Sequence, residues 1–172
     1  MIFSNLEKEE TWEKIREKKY SKIIAHYLLS YLNDETSFIR NVAGVLAPGG
    51  MFSVNHYGEA KKEYDFWEKS LKAAGLDISF ALKKRQERRQ ADTEVEELLS
   101  ENFDRVEKVA LPGPLVFESA DTLFDRAAMK YSEARKYLED NKDRIEDYFE
   151  NVILKDGPVT VDMDSVFYHC YK

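Results

Sequence analysis

Three histidines, one cysteine and a few tyrosines near them are the residues of this chain with chemistry to offer. His26, with Tyr27 and Tyr31, and His56, with Tyr57, follow two short apolar segments in the first third of the sequence. Imidazole titrates near neutrality, so either histidine can hold a polar ligand or move a proton. Each also reads simply as a polar loop residue, and Tyr27 and Tyr31, flanking an apolar pair, read as packing aromatics. His169 and Cys170 are adjacent, but no second histidine or carboxylate stands at metal-ligand spacing, so no metal site is expected. Cys170, the only cysteine, has no neighbouring base to activate it and reads as a buried thiol. Five cations in seven positions, at residues 83–89, read as a solvated helix face or loop rather than a binding patch. None of the seven glycines falls in a spacing that lets a backbone loop wrap a phosphate.

These residues must be positioned by one domain, residues 1–172, whose 43% hydrophobic content is enough to bury a core. Charged residues are 34% of the chain and the net charge is −7, which argues against a nucleic-acid surface and against a membrane span. The lone cysteine and an opening that turns acidic before any apolar run develops point to the cytoplasm.

Ser4 and Glu7 have capping-box spacing, opening a charged surface helix to about Lys19. Residues 21–25 read as a strand. Asp34 can cap a helix with Phe38, Ile39, Val42, Ala43 and Leu46 on one face, stopped by Pro48-Gly49-Gly50. Residues 51–55 are a second strand. Ala60, Tyr64, Trp67, Leu71 and Ala74 form the stripe of a helix after Gly58, ended by Gly75. Thr93 and Glu96 have capping-box spacing, residues 103–111 read as a third strand, and Pro112-Gly113-Pro114 as its break. Two amphipathic helices follow, from Asp121 and through Leu138, Ile145, Tyr148, Phe149 and Val152, before a terminal strand or hairpin. Strand, helix, strand, helix at the start implies parallel neighbours in an α/β sheet.

The run Lys22-Ile23-Ile24-Ala25-His26-Tyr27-Leu28-Leu29, followed at the right separation by Val45-Leu46-Ala47-Pro48-Gly49-Gly50-Met51-Phe52, resembles the fourth and fifth strands of class I S-adenosylmethionine-dependent methyltransferases. The ending Phe167-Tyr168-His169-Cys170-Tyr171-Lys172 is similar to that family's last strand. The resemblance implies a partial Rossmann-like sheet of strands equivalent to 4-5-7-6, with the last strand antiparallel and inserted helices at about 119–154. The family's glycine-rich turn and the acidic residue that holds the cofactor ribose have no counterpart here, and only about twenty residues precede the fourth-strand segment.

Under this resemblance the chain is the C-terminal part of a methyltransferase that acts on a small-molecule acceptor, with weak or no activity alone. Ala25, His26 and Tyr27 would contact S-adenosylmethionine, and Tyr31, His56 and Tyr57 would face the acceptor. No catalytic base is required, because the sulfonium is already activated. The missing first strand leaves an open sheet edge, implying that the first helix covers it, that two copies pair there, or that a second subunit docks. A non-catalytic module that pairs through that edge is the alternative.

Overall fold

The computed structural model describes residues 5–6, 8–56 and 61–172. The chain folds as a mixed α/β protein, and among the described residues four strands lie in the order β1-β2-β4-β3. These are β1 (Tyr20–Ala25), β2 (Leu46–His56), β3 (Arg105–Phe117) and β4 (Val159–Tyr171). β1 and β2 are parallel, with Ile23 opposite Phe52, and β4 runs antiparallel to β2, with Cys170 opposite Phe52. This is the 4-5-7-6 arrangement expected from the resemblance.

The helices are α1 (Glu9–Arg16), α2 (Glu35–Val45), α3 (Lys61–Ala73), α4 (Ser79–Asn102), α5 (Ala120–Lys130), α6 (Arg135–Glu139) and α7 (Lys142–Tyr148). Two compact units are formed. One comprises Met1–Gly58, Ala91–Leu111 and Ser165–Lys172, the other Glu59–Gln90 and Pro112–Asp164. Each has its own apolar core.

In the first unit, Phe38, Ile39, Val42 and Ala43 of α2 pack on Phe52 and Val54 of β2 and on Val95 and Leu99 of α4. Asp34 caps α2 as expected, its Oδ1 accepting from Ser37 N at 2.8 Å. The Ser4 and Glu7 positions lie outside the described residues, and α1 starts at Glu9 with no side-chain cap. α1 is more than a surface helix: Trp12 is buried, edge-on to Phe38 at 5.8 Å, and its Nε1 donates to Leu6 O at 2.7 Å.

Pro48-Gly49-Gly50 does not separate helix from strand. α2 already ends at Val45, and the three residues form a bulge inside β2, between the pairs Tyr20–Leu46 and Lys22–Met51. Glycine is needed there for two reasons: Gly49 takes φ 72°, and a Cβ on Gly50 would stand 2.8 Å from Ala47 O.

In the second unit, α3 carries the expected stripe, with Tyr64, Trp67 and Leu71 buried; Gly58 and Ala60 lie outside the described residues. Gly75, at φ 81°, donates to Lys72 O while Leu76 donates to Leu71 O, the paired bonds of a Schellman cap.

Three expectations are corrected. Thr93 and Glu96 are no capping box, because α4 is one helix that begins at Ser79, whose N–H donates to Asp77 Oδ1. Pro112-Gly113-Pro114 does not break β3, which continues to Phe117. β3 ends the sheet order, where a missing backbone donor is tolerated, and Gly113 lets the chain pass where a Cβ would lie 2.9 Å from Met163 O. Val152 is exposed although Leu138, Ile145 and Phe149 are buried, because a π-turn at Phe149–Ile153 rotates it off their face.

The basic segment lies on α4 and is ion-paired: Arg85 to Asp65 and Glu68, Lys84 to Glu133, Lys83 to Glu87. No helix among the described residues is long and apolar enough to cross a membrane.

Candidate functional site

Parallel β1 and β2 bring their carboxyl ends together, the place where open α/β sheets take ligands. Alternation along β2 sends Ser53 and Asn55 to one face and Phe52, Val54 and His56 to the other. His26 and Tyr27 therefore meet the Ser53 and Asn55 face, whereas Ala25 and His56 belong to the Phe52 and Val54 face.

The first group is the turn that follows β1. Ala25 is buried in the core. The His26 ring stands edge-on to Phe167, with centroids 4.9 Å apart, and its Nε2 is hydrogen-bonded to Ser53 Oγ at 2.8 Å. Tyr27 is the one non-glycine described residue at positive φ, 55°, and its N–H donates to Asn55 Oδ1. Tyr27 is 66% exposed and Tyr31, on the 3-10 turn Leu29–Tyr31, is 81% exposed, so neither is the packing aromatic its neighbours suggest. Two side chains of β2 thus hold the turn in a conformation that costs on the order of 1 kcal/mol or more for a residue with a Cβ. Tyr27→Gly is expected to raise stability by about 1 kcal/mol in urea unfolding. A loss instead would show that the tyrosine ring supports the turn.

His26 Nε2 and the Tyr27 amide are both bonded to β2, and Ala25 offers no side-chain polar group. The turn is thus tied to the sheet beneath it.

The second group is built around His56. It is the last residue of β2 rather than a loop residue, it is buried, and its Nδ1 is hydrogen-bonded to Asp92 Oδ1 at 2.6 Å. Tyr57 lies outside the described residues. Asp92 belongs to α4, has a side chain only 7% exposed, and its Oδ2 has no hydrogen-bond partner among the described residues. His56 lines an open cleft of about 540 Å³ between α2 and α4, together with Glu35, Arg40, Glu94, Glu97 and Glu101. Burial pushes the Glu35 carboxyl above its ordinary value; nearby His56 opposes that shift and Glu94 adds to it. Tyr31 does not line this cleft.

Asp92 is the residue that sequence reasoning missed. It is 36 positions from His56 in a strongly charged helix, and the one available signal was its place on the stripe of Val95 and Leu99, an acid on an apolar face. Cys170 is the buried thiol expected, completely inaccessible and pushed by burial up to about 12. Among the described residues no cluster of three or more metal-ligating side chains occurs.

No protein-family model and no curated protein matches the sequence. Solved structures with detectable similarity to the chain include the following two. One is a protein from Bacillus halodurans C-125 provisionally named a methyltransferase, 14% identical, with a TM-score of 0.43 over 88% of this chain and 64% of that one. The other is phosphoethanolamine N-methyltransferase 2 from Haemonchus contortus, solved with phosphomonomethylethanolamine and S-adenosylhomocysteine. It is 13% identical, with a TM-score of 0.40 over 89% of this chain and 33% of that one. The chain thus spans about two thirds of the length of the first and one third of the second.

Proposed function

We propose that this chain is the C-terminal block of an S-adenosylmethionine-dependent methyltransferase sheet, serving transfer to a small-molecule acceptor and holding the cofactor weakly or not at all on its own. One observation carries the reading: an antiparallel β4 lies between β2 and β3 in a sheet whose first two strands are parallel. The strand resembling the family's fourth and the one resembling its fifth are the parallel pair, and the turn after the former stands at the strand ends where a ligand would lie.

The test is a titration with S-adenosylmethionine followed by calorimetry and by amide NMR. Binding weaker than about 1 mM, with shifts confined to Ala25, His26, Tyr27 and their β2 partners, is the expected result. Micromolar affinity would overturn the half-site, and saturable shifts elsewhere with none at this turn would overturn the assignment.

A second reading is favoured by the β1 edge. Among the described residues β1 has a single strand partner, and Ile24, Tyr27 and Tyr31 present 60%, 66% and 81% of their surface to solvent. An exposed strand edge flanked by apolar side chains is a template for pairing with another chain. In this reading the chain is an interaction module that pairs there with a second copy or another subunit. A solely monomeric species in sedimentation velocity at high concentration would count against pairing between copies.

A further inference from the structure

We infer that the open edge of β1 takes an extended acidic segment of another polypeptide as an added strand. The inference rests on the interaction-module reading above and names the partner. β1 ends the sheet order, so among the described residues one row of its backbone donors and acceptors has no strand beside it. When a strand is added to such an edge, main-chain hydrogen bonds supply the affinity and the alternating side chains supply the selectivity.

The side chains of β1 define what the added strand carries. Register sets Lys22 beside Met51 and Ile24 beside Ser53, on the face away from the core of the first unit, and both Lys22 and Ile24 are exposed. Ile23, between them, is half-buried and packs on that core from the other face. The matching strand therefore places a carboxylate against Lys22 and apolar side chains against Ile23 and Ile24. The positive charge is local. Residues 18–33 hold Lys18, Lys19 and Lys22 and no acid, in a chain of net charge −7. Lys19 donates to Gly44 O at 2.6 Å, whereas Lys18 and Lys22 are exposed and enter no ion pair among the described residues.

A second copy of this chain is the poorer occupant. In the two registers of a two-fold antiparallel pair that keep most of β1 paired, Lys22 lies opposite its own symmetry mate or opposite Ile24. The two ammonium-bearing residues are then direct or diagonal neighbours, about 5 Å or about 8 Å apart, and like charges so placed oppose pairing. Lysine on an edge strand is a guard against self-association. Here the same residue acts as a selector, because the charge that turns away a second β1 attracts a strand bearing carboxylates.

The whole chain is titrated with the acetylated and amidated peptide Thr-Glu-Val-Val-Glu-Thr, which presents the required pattern in either strand direction, and with its counterpart carrying lysine for glutamate. Amide NMR and hydrogen exchange are followed, with sedimentation velocity alongside. The acidic peptide is expected to shift the Lys22, Ile23 and Ile24 amides saturably with a Kd of about 1 mM, and to slow exchange along β1. At low salt it should bind at least about fivefold more tightly than the lysine peptide. Methylating every backbone nitrogen of the acidic peptide keeps its charge, removes its donors and is expected to abolish binding. Lys22→Glu, an exposed change that leaves the core intact, is expected to reverse the preference between the two peptides. Ile24→Thr is expected to weaken both and to keep their order. The inference is overturned by no saturable shift up to about 10 mM peptide, by equal binding of the two peptides, or by undiminished binding of the methylated one. A dimer in which the β1 amides become protected overturns the acidic partner and leaves the interaction-module reading standing, so the two failures are distinct.

Discussion

Trp67→Ala is expected to cost about 3–5 kcal/mol, at the upper end for a single core truncation. Trp67 is completely buried in the second unit, with Phe66, Phe117 and Phe149 edge-on to its indole at 4.8, 6.0 and 6.3 Å. The truncation removes the hydrophobic contribution of a large ring and leaves a hole between elements that no neighbour can enter without leaving its own aromatic contacts. It also removes the Nε1 donor to Glu63 Oε1 at 3.3 Å. The loss is read from the midpoint of urea unfolding followed by far-ultraviolet circular dichroism, and one below about 1.5 kcal/mol would show that this core repacks freely.

Glu63→Gln is expected to cost a similar amount, about 3–5 kcal/mol, by a different route. Glu63 lies one turn before Trp67 on α3, is 2% exposed, and accepts from Arg126 at 3.0 Å and from Lys130 at 2.8 Å. Lys130 is itself largely buried, its ammonium 3.7 Å from the centre of the Tyr64 ring, and burial pulls it below its ordinary value. Removing the carboxylate charge leaves two enclosed cations facing each other with a neutral amide between them.

Burial alone would raise the Glu63 carboxyl, but Lys130 and Arg126 outweigh it and hold the group below the usual carboxylate range. Its folded pKa is therefore depressed, so its contribution is present above the unfolded-state value near 4.3 and is lost as pH falls through the lower folded value. Wild-type stability should decline across that acidic window more steeply than that of Glu63→Gln, which no longer titrates there. Parallel profiles for the two proteins would remove the ion pair from the account. Because Trp67 and Glu63 are bonded to one another, the double variant should cost less than the sum of the two.

Local signals were legible in the sequence wherever a single element decided the outcome. Asp34 announced the start of α2, the stripe through Tyr64, Trp67 and Leu71 announced α3, and Gly75 its end. Strand-helix-strand patterning placed the Ile23 and Met51 segments as parallel neighbours, whereas the order of the remaining strands came from the family resemblance. What escaped was decided by partners distant in sequence. Pro48-Gly49-Gly50 looks like a stop until β1 lies beside it and turns it into a bulge. Pro112-Gly113-Pro114 looks like a break until β3 proves to end the sheet, and Thr93 and Glu96 look like a helix start until packing carries α4 straight through them.

The candidate site was half visible for the same reason. His56 was singled out by residue type, but its character comes from Asp92, and a carboxylate on a highly charged helix declares itself only when the fold turns it inward. Ionic partners behave likewise: Glu96 serves Lys108 and Tyr168, 12 and 72 positions away, and no spacing rule joins them.

Cys170 equips the first unit with an internal clock. It is the only sulfhydryl in the sequence, it faces no solvent, and its thiolate form is suppressed by the surrounding apolar atoms. A disulfide reagent can reach it only after the core around it opens, so the rate of labelling at fixed pH counts how often that core is exposed. Any ligand that tightens this core should slow the clock, without a dye, a tag or an engineered residue.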